Sequence, residues 1–259
     1  MNIYDVKNLS FKYNADNEIF SSANLTIEEG KIYALLGRNG VGKSTLFSIL
    51  LNVIDNYTGD VIFLGENIKK LSRKQIAKNV GYVPQNPHLS FDFNARDYVA
   101  MGLAADTSLF SELNKEDYKK VDDAFDKLSI NHLKGKNFFE MSGGEKQLVV
   151  IARSIVLNPK IILFDEPTSH LDIANQYKVL KIIKNLKNNG YTIVVSTHDP
   201  NQVTLLDENV IILDGSKKII SGKASDTINK ETLYNLYDVD MEVEYLEKHN
   251  RKICFFENI

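Results

Sequence analysis

Short apolar runs alternate along this chain with longer amphipathic stretches, and the two periods predict an alternation of strands and helices. Residues 3–13 alternate weakly, with Leu9, Phe11 and Tyr13 on one parity, and predict edge strands. KIYALLG (31–37) is a buried-strand run that ends in a glycine-rich loop, and behind it Leu46, Ile49, Leu50 and Val53 fall on one helical face. DVIFLG and VGYVP predict further strands, the second running into Gln85. From about residue 86 to 157 the texture is helical, and Tyr118, Val121, Phe125 and Leu128 form one apolar stripe within KEDYKKVDDAFDK. Strands resume at IILFD (161–165), YTIVVST (191–197) and NVIILDG (209–215), with Val179, Ile182, Ile183 and Leu186 on the inner face of an intervening helix. This order predicts an α/β fold with a mostly parallel sheet covered on both faces. The last forty residues or so predict a hairpin at DGSKK, a helix near 226–237 and two short strands, with no readable chemistry.

Composition narrows this picture mainly by exclusion. A chain of 259 residues, 43% hydrophobic and 25% charged, has the make-up of one large globular domain or two small ones. A net charge of −3 supplies no global basic field for nucleic acid or an acidic membrane. Cys254 is the single cysteine, which excludes an internal disulfide and fits a reducing compartment. MNIYDVKNLSFKYN has no apolar core of a signal peptide, and no apolar run approaches the roughly 20 residues of a spanning helix. A membrane role is therefore expected only through another chain.

The candidate chemistry gathers at the ends of the predicted strands. GRNGVGKST (37–45) fits G-x-x-x-x-G-K-[ST] between a strand and an amphipathic helix. In such a loop the glycines Gly37, Gly40 and Gly42 let backbone N–H groups wrap phosphates, Lys43 reaches the outer phosphates and Ser44 binds Mg²⁺. IILFDEPTSHLD ends a buried strand in Asp165, a position costly for a carboxylate unless an ion or a hydrogen-bond network holds it. Glu166, one residue further out, is placed to take a proton from an attacking water. Gln85 and His198 also follow strand ends, where open parallel sheets bind their ligands. His88, His132, His170 and His249 read as loop residues. Tyr13 reads equally as an adenine-stacking ring or as ordinary strand packing. In MSGGEKQ (141–147), Ser142 and Glu145 have the spacing of a capping box, yet a cap does not require Gly143 and Gly144. Two glycines at a helix start suit a backbone that an anion must approach closely.

In this order the motifs resemble those of the ATP-binding subunits of ABC transporters, over essentially the whole chain. Residues Gly37, Arg38, Asn39, Gly40, Val41, Gly42, Lys43, Ser44 and Thr45 resemble Walker A, IILFDE Walker B, MSGGEKQ the signature LSGGQ, and SHLD (169–172) the D-loop. Gln85 matches the Q-loop glutamine, His198 the switch histidine and Tyr13 the adenine-stacking aromatic. The resemblance implies a P-loop NTPase of ABC type, with a mostly parallel core sheet, an N-terminal antiparallel β region and a helical subdomain. Residues 1–85 and 158–220 would form the nucleotide-binding core, 86–157 the helical subdomain, and 221–259 a C-terminal extension.

The implied cofactors are ATP and Mg²⁺, with Ser44, Gln85 and Asp165 toward the metal and Lys43, Gln85, Glu166 and His198 in catalysis. The implied partners are a second copy of the chain, in a head-to-tail dimer where Ser142, Gly143 and Gly144 of one copy close over ATP held by the other, and an integral-membrane permease on the cytoplasmic side. An extracytoplasmic binding protein would be an indirect partner; no nucleic-acid partner is expected. Met141 and Glu145 depart from the first and fifth signature positions. FDFNARDYVAMG (91–102), the SHLD stretch and the tail NLYDVDMEVEYLEK are similar to importers of iron–siderophore complexes, haem or cobalamin, although Leu103 stands where those often carry arginine. Residues 86–104 would then face the permease. An exporter ATPase, a soluble ABC ATPase and a non-hydrolysing switch are the competing readings. KGKNFFE lacks the exporter stretch, the interval from Gln85 to Ser142 is too short for a coiled-coil insertion, and Glu166 with His198 favours turnover.

Overall fold

The computed structural model describes residues 1–87, 91–106 and 113–256, so His88 lies outside the described residues. The chain forms two compact units, Met1–Leu71 with Thr192–Ile259, and Ser72–Tyr191.

The first unit opens with β1 (Asn2–Asn14) and β2 (Asn17–Glu28), an antiparallel pair whose register is interrupted by bulges. After β3 (Ile32–Gly37) and α1 (Lys43–Leu50) come β4 (Thr58–Phe63) and β5 (Glu66–Asn67). These make a sheet in the order β2-β1-β4-β5. β1 is consequently an interior strand, paired on both sides, and not the edge strand its weak alternation predicted. Its second partner comes from residues 58–63, far along the chain, and local alternation carries no information about that pairing. α1 buries Leu46, Ile49 and Leu50, but Val53 is 64% exposed and leaves the face assigned to it. The helix has already ended at Leu50, and Asn52 adopts a left-handed φ of 53°, which breaks the period.

The second unit contains α2 (Arg73–Asn79), β6 (Val80–Val83), α3 (Ala95–Ala100), α4 (Lys115–Leu128), α5 (Gly143–Ile155), β7 (Ile161–Phe164) and α6 (Ile173–Asn188). β6 and β7 run parallel from Val80↔Ile161 to Val83↔Phe164, which brings their C-terminal ends level. The helices α3, α4 and α5 pack on one another, and Val99, Phe125 and Val149 are buried within them. In α4 the predicted stripe is the buried one, with Val121, Phe125 and Leu128 inward.

The chain then returns to the first unit as β8 (Thr192–Thr197), α7 (Pro200–Leu206), β9 (Asn209–Leu213), β10 (Ile220–Lys223), α8 (Ala224–Thr227), α9 (Lys230–Tyr237), β11 (Glu242–Leu246) and β12 (Arg251–Phe255). β3 lies between β8 and β9, parallel to both, and β10 closes antiparallel on β9. All six residues of β3 are buried, as an apolar run covered on both faces demands, and each large side chain so buried stabilises the fold by about 1.5–3 kcal/mol. The single helix predicted near 226–237 is two, because the Asn229 side chain accepts from the Thr232 N–H and starts α9 anew.

Candidate functional site

In the first unit β3 delivers the glycine loop and α1 carries it away. Gly40 and Gly42 both have positive φ, 79° and 115°, a conformation that L side chains rarely adopt. A Cβ on Gly37 would stand 2.7 Å from Val41 Cγ1, and one on Gly42 would stand 2.5 Å from Ile19 Cγ2. Sterics therefore forbid a larger residue at either position. Gly42 caps α1 without any side-chain hydrogen bond, so the first-turn N–H groups and the positive end of the helix dipole are presented to an external anion. Lys43 is buried and folds back over the loop, its Nζ donating to the carbonyls of Gly37 at 2.8 Å and Arg38 at 3.1 Å. Arg38, Asn39, Gly40 and Ser44 are exposed and Val41 is half-buried. Tyr13 is joined to the same helix through a hydrogen bond between its hydroxyl and Thr45 Oγ1, 3.0 Å, and its ring is 57% exposed against the edge of Phe11. His198, exposed, is the first residue beyond β8.

In the second unit β6 and β7 bring Gln85, Asp165 and Glu166 together. Asp165 is buried, its backbone N–H donates to Val83 O at 2.9 Å, and its Oδ2 accepts from the Tyr82 hydroxyl at 3.4 Å. Burial, reinforced by the Asp165 charge, pushes the Tyr82 phenol up to about 12, so it remains a donor. Gln85 Nε2 donates to Glu166 Oε2 at 3.2 Å. Glu166 adopts a left-handed φ of 44°, and its carbonyl accepts from both the N–H and the Oγ–H of Ser169, at 3.1 and 2.8 Å. A non-glycine residue held in that region stores of order 1–3 kcal/mol of strain, a cost concentrated at functional positions. Sequence reasoning missed Tyr82 and Ser169; the only signals were a phenol in the strand before Gln85 and a hydroxyl three residues after Glu166.

The signature stretch starts α5, and here the capping box is formed. Ser142 Oγ accepts from the Glu145 N–H at 3.3 Å while the Glu145 carboxylate accepts from the Ser142 N–H at 2.9 Å. The two glycines have different reasons. A Cβ on Gly144 would meet the Asn175 carboxamide at 2.5–2.9 Å, so any larger residue there would have to move that side chain of α6. Gly143 is exposed and would meet only Leu171 Cδ2 at an ordinary 3.7 Å, so packing within the chain gives no reason for its glycine. Met141 is buried and acts as an apolar anchor in the way a leucine would.

Lys136 Nζ donates to both oxygens of Glu145, at 3.0 and 2.9 Å. That hydrogen-bonded ammonium first, and the Ser142 N–H second, hold the Glu145 carboxyl down at about 2. A depressed carboxylate stabilises the fold above its unfolded value near 4.5, and the contribution disappears as pH falls toward 2. Carboxyl-carbon NMR is expected to show Glu145 still ionised at pH 3, with Lys136→Ala moving its midpoint up toward the ordinary glutamate range. An unchanged midpoint in that variant would show that Lys136 is not the cause.

Among the described residues no group of three or more His, Cys, Asp or Glu side chains is assembled to hold a metal. The exposed Ser44 hydroxyl in the first unit and the buried Asp165 carboxylate in the second are each an oxygen donor of the kind Mg²⁺ takes. That ion takes few protein ligands and completes its shell with phosphate oxygens and water.

The sequence model of the ABC transporter family matches residues 20–169. The chain is 34% identical over 237 residues to the molybdate import ATP-binding protein MolC of Haemophilus influenzae, covering 91% of this chain and 88% of that one. It is 30% identical over 255 residues to the iron(3+)-hydroxamate import ATP-binding protein FhuC of Bacillus subtilis, covering 98% and 94%. A solved metal-chelate type ABC transporter in an inward-facing conformation superposes with a TM-score of 0.88 at 32% identity, over 100% of this chain and 98% of that one. The chain belongs to the ABC transporter family. It is an ATP-binding subunit of that family, an ATPase that energises a transporter.

Proposed function

We propose that this ATPase drives an importer of ferric chelates, with ATP bound and hydrolysed between two head-to-tail copies of the chain. The observation that carries the catalytic part is the Gln85–Glu166 hydrogen bond beside the buried Asp165, which holds a carboxylate ready to act as base at a strand end. In this reading Tyr13 stacks on adenine, the backbone of residues 37–45 cradles the phosphates, and Lys43 transfers its ammonium from the carbonyls of Gly37 and Arg38 to the outer phosphates. Glu166 receives the proton of the attacking water, His198 holds the γ-phosphate, and Ser142 with the Gly143 and Gly144 amides closes the site from the second copy. Mg²⁺, when bound, would supply charge neutralisation to the phosphates, and Ser44, Asp165 and Gln85 are the residues that would hold it.

The helical subdomain, residues 86–157, carries the signature and faces a membrane permease. The 72% exposure of Phe91 supports that docking surface, of which residues 88–90 lie outside the described ones. No described helix is long and apolar enough to cross a membrane, so attachment to the cytoplasmic face runs through the permease, with an extracytoplasmic binding protein as the indirect partner. The 30% identity to the iron(3+)-hydroxamate ATPase and the superposition on a metal-chelate transporter support the cargo class. The 34% identity to MolC favours molybdate as a second reading. Deleting the gene is expected to abolish uptake of radiolabelled ferric hydroxamate and spare molybdate. The opposite pattern would install the second reading, and normal uptake of both would remove the two together.

A further inference from the structure

The residues after β8 are fixed by two sets of contacts. The first is local. Thr197 Oγ1 accepts from the Asp199 N–H at 3.1 Å and donates to Gln202 Oε1 at 3.0 Å, and Asp199 caps α7 by accepting from the Asn201 N–H at 2.8 Å. The second comes from the C-terminal part of the chain, to which no chemistry has been attached. At the end of α9 the Tyr237 hydroxyl donates to the backbone carbonyl of His198 itself, at 2.6 Å. In β12, Cys254 exchanges two hydrogen bonds with the Asn201 carboxamide, its N–H donating and its carbonyl accepting, both at 2.9 Å. A carboxamide matched to both backbone groups of one residue imitates a neighbouring strand and fixes the start of α7 to β12.

We propose that the C-terminal segment is the positioning element of the switch histidine, with Tyr237 on the carbonyl of His198 and Cys254 on Asn201. This rests on the role given to His198 above. Fixing the His198 carbonyl fixes the plane of the 198–199 peptide, and with it the direction in which the exposed imidazole leaves the backbone. The Tyr237 hydroxyl meets the histidine at its main-chain carbonyl, so this bond restrains position without occupying a ring nitrogen. Burial, followed by the Asp199 charge, pushes the Tyr237 phenol up and keeps its proton available as a donor at any physiological pH. Local caps alone would start α7; the two contacts from outside are what a histidine that must meet a phosphate repeatedly at one place requires.

Tyr237→Phe removes one oxygen and leaves the ring in place. In the full-length protein it is expected to lower kcat about threefold to tenfold, the size of one hydrogen bond, with ATP affinity unchanged and the thermal midpoint lowered by about 2–4 °C. Asn201→Ala, which breaks the second contact independently, is expected to act in the same direction. Ring resonances of His198 in histidine-labelled protein should shift or broaden in both variants without nucleotide, and in a His198→Ala background Tyr237→Phe should cost nothing further. Wild-type kcat and unmoved His198 resonances in both variants, with His198→Ala inactive, would overturn the positioning role while leaving the histidine's own role intact. An equal loss from Tyr237→Phe with and without His198 would overturn it also. Full turnover by His198→Ala would instead remove the histidine's role, and the positioning with it.

Discussion

Glu166→Gln is expected to bind ATP with unchanged affinity and to turn it over on the order of 10²–10⁴-fold more slowly, the range a general base contributes. The substitution is nearly isosteric, and the glutamine oxygen can still accept from Gln85 Nε2, which reaches Glu166 at 3.2 Å in the wild type. Both contacts from Ser169, its N–H and its hydroxyl, fall on the Glu166 carbonyl and not on the carboxylate, so the left-handed turn at Glu166 persists. Only the capacity to accept a proton is lost. ATP should then accumulate between copies, and size-exclusion chromatography should show an ATP-dependent dimer that the wild type resolves by hydrolysis. Wild-type turnover in Glu166→Gln would remove the carboxylate from the chemistry and leave the strained turn as a structural feature.

The second large effect concerns a pair of variants that are expected to be nearly inert apart and active together. Lys43→Ala removes the ammonium that lies over the phosphate loop and leaves its own signature intact. Ser142→Arg places a bulky cation where the exposed Ser142 and Gly143 would meet a phosphate, and leaves its own phosphate loop intact. Losing one preorganised donor costs about 2.7–4 kcal/mol of transition-state stabilisation, or on the order of 10²–10³ in rate. Ser142 also caps α5, so Ser142→Arg carries a further stability cost of about 0.5–2 kcal/mol, which a thermal melt separates from loss of binding. Mixed, the two chains can assemble one intact site, with the loop from Ser142→Arg and the signature from Lys43→Ala. Energy transfer between differently labelled chains should report ATP-dependent heterodimers where neither variant alone dimerises. A mixture as inert as its components, with both variants folded, would count against a site shared between copies.

How much of this was legible beforehand depended on whether the cause was local. The glycine loop was legible as a strand–loop–helix turn because its glycines, Lys43 and Ser44 lie on nine consecutive residues whose strand and helix flanks announce themselves by period. The strand ends at Asp165 and His198 were legible for the same reason. The capping box of Ser142 and Glu145 was legible as spacing, but its charge state was not, because Lys136 lies nine residues away across a bend. The conformation of Glu166 was not legible either: nothing in FDEPTSH specifies a positive φ at a glutamate. In two places where the periodic reading failed, a single residue outside the period was responsible: Asn52 turns Val53 outward and Asn229 splits one helix into two.

By itself, then, the sequence determined which chemical groups stand at the ends of which strands, since spacing along a chain of known rise is a local property. Tertiary structure decided what those groups touch. Glu166 meets Gln85 across 81 residues, Asp165 meets Tyr82 across 83, and His198 meets Tyr237 across 39. Asn175 packs against Gly144, while Ser142 and Gly143 stay exposed. Such contacts exist only once the intervening loops have been closed and their entropy offset by burial elsewhere in the fold, and no local period reports them.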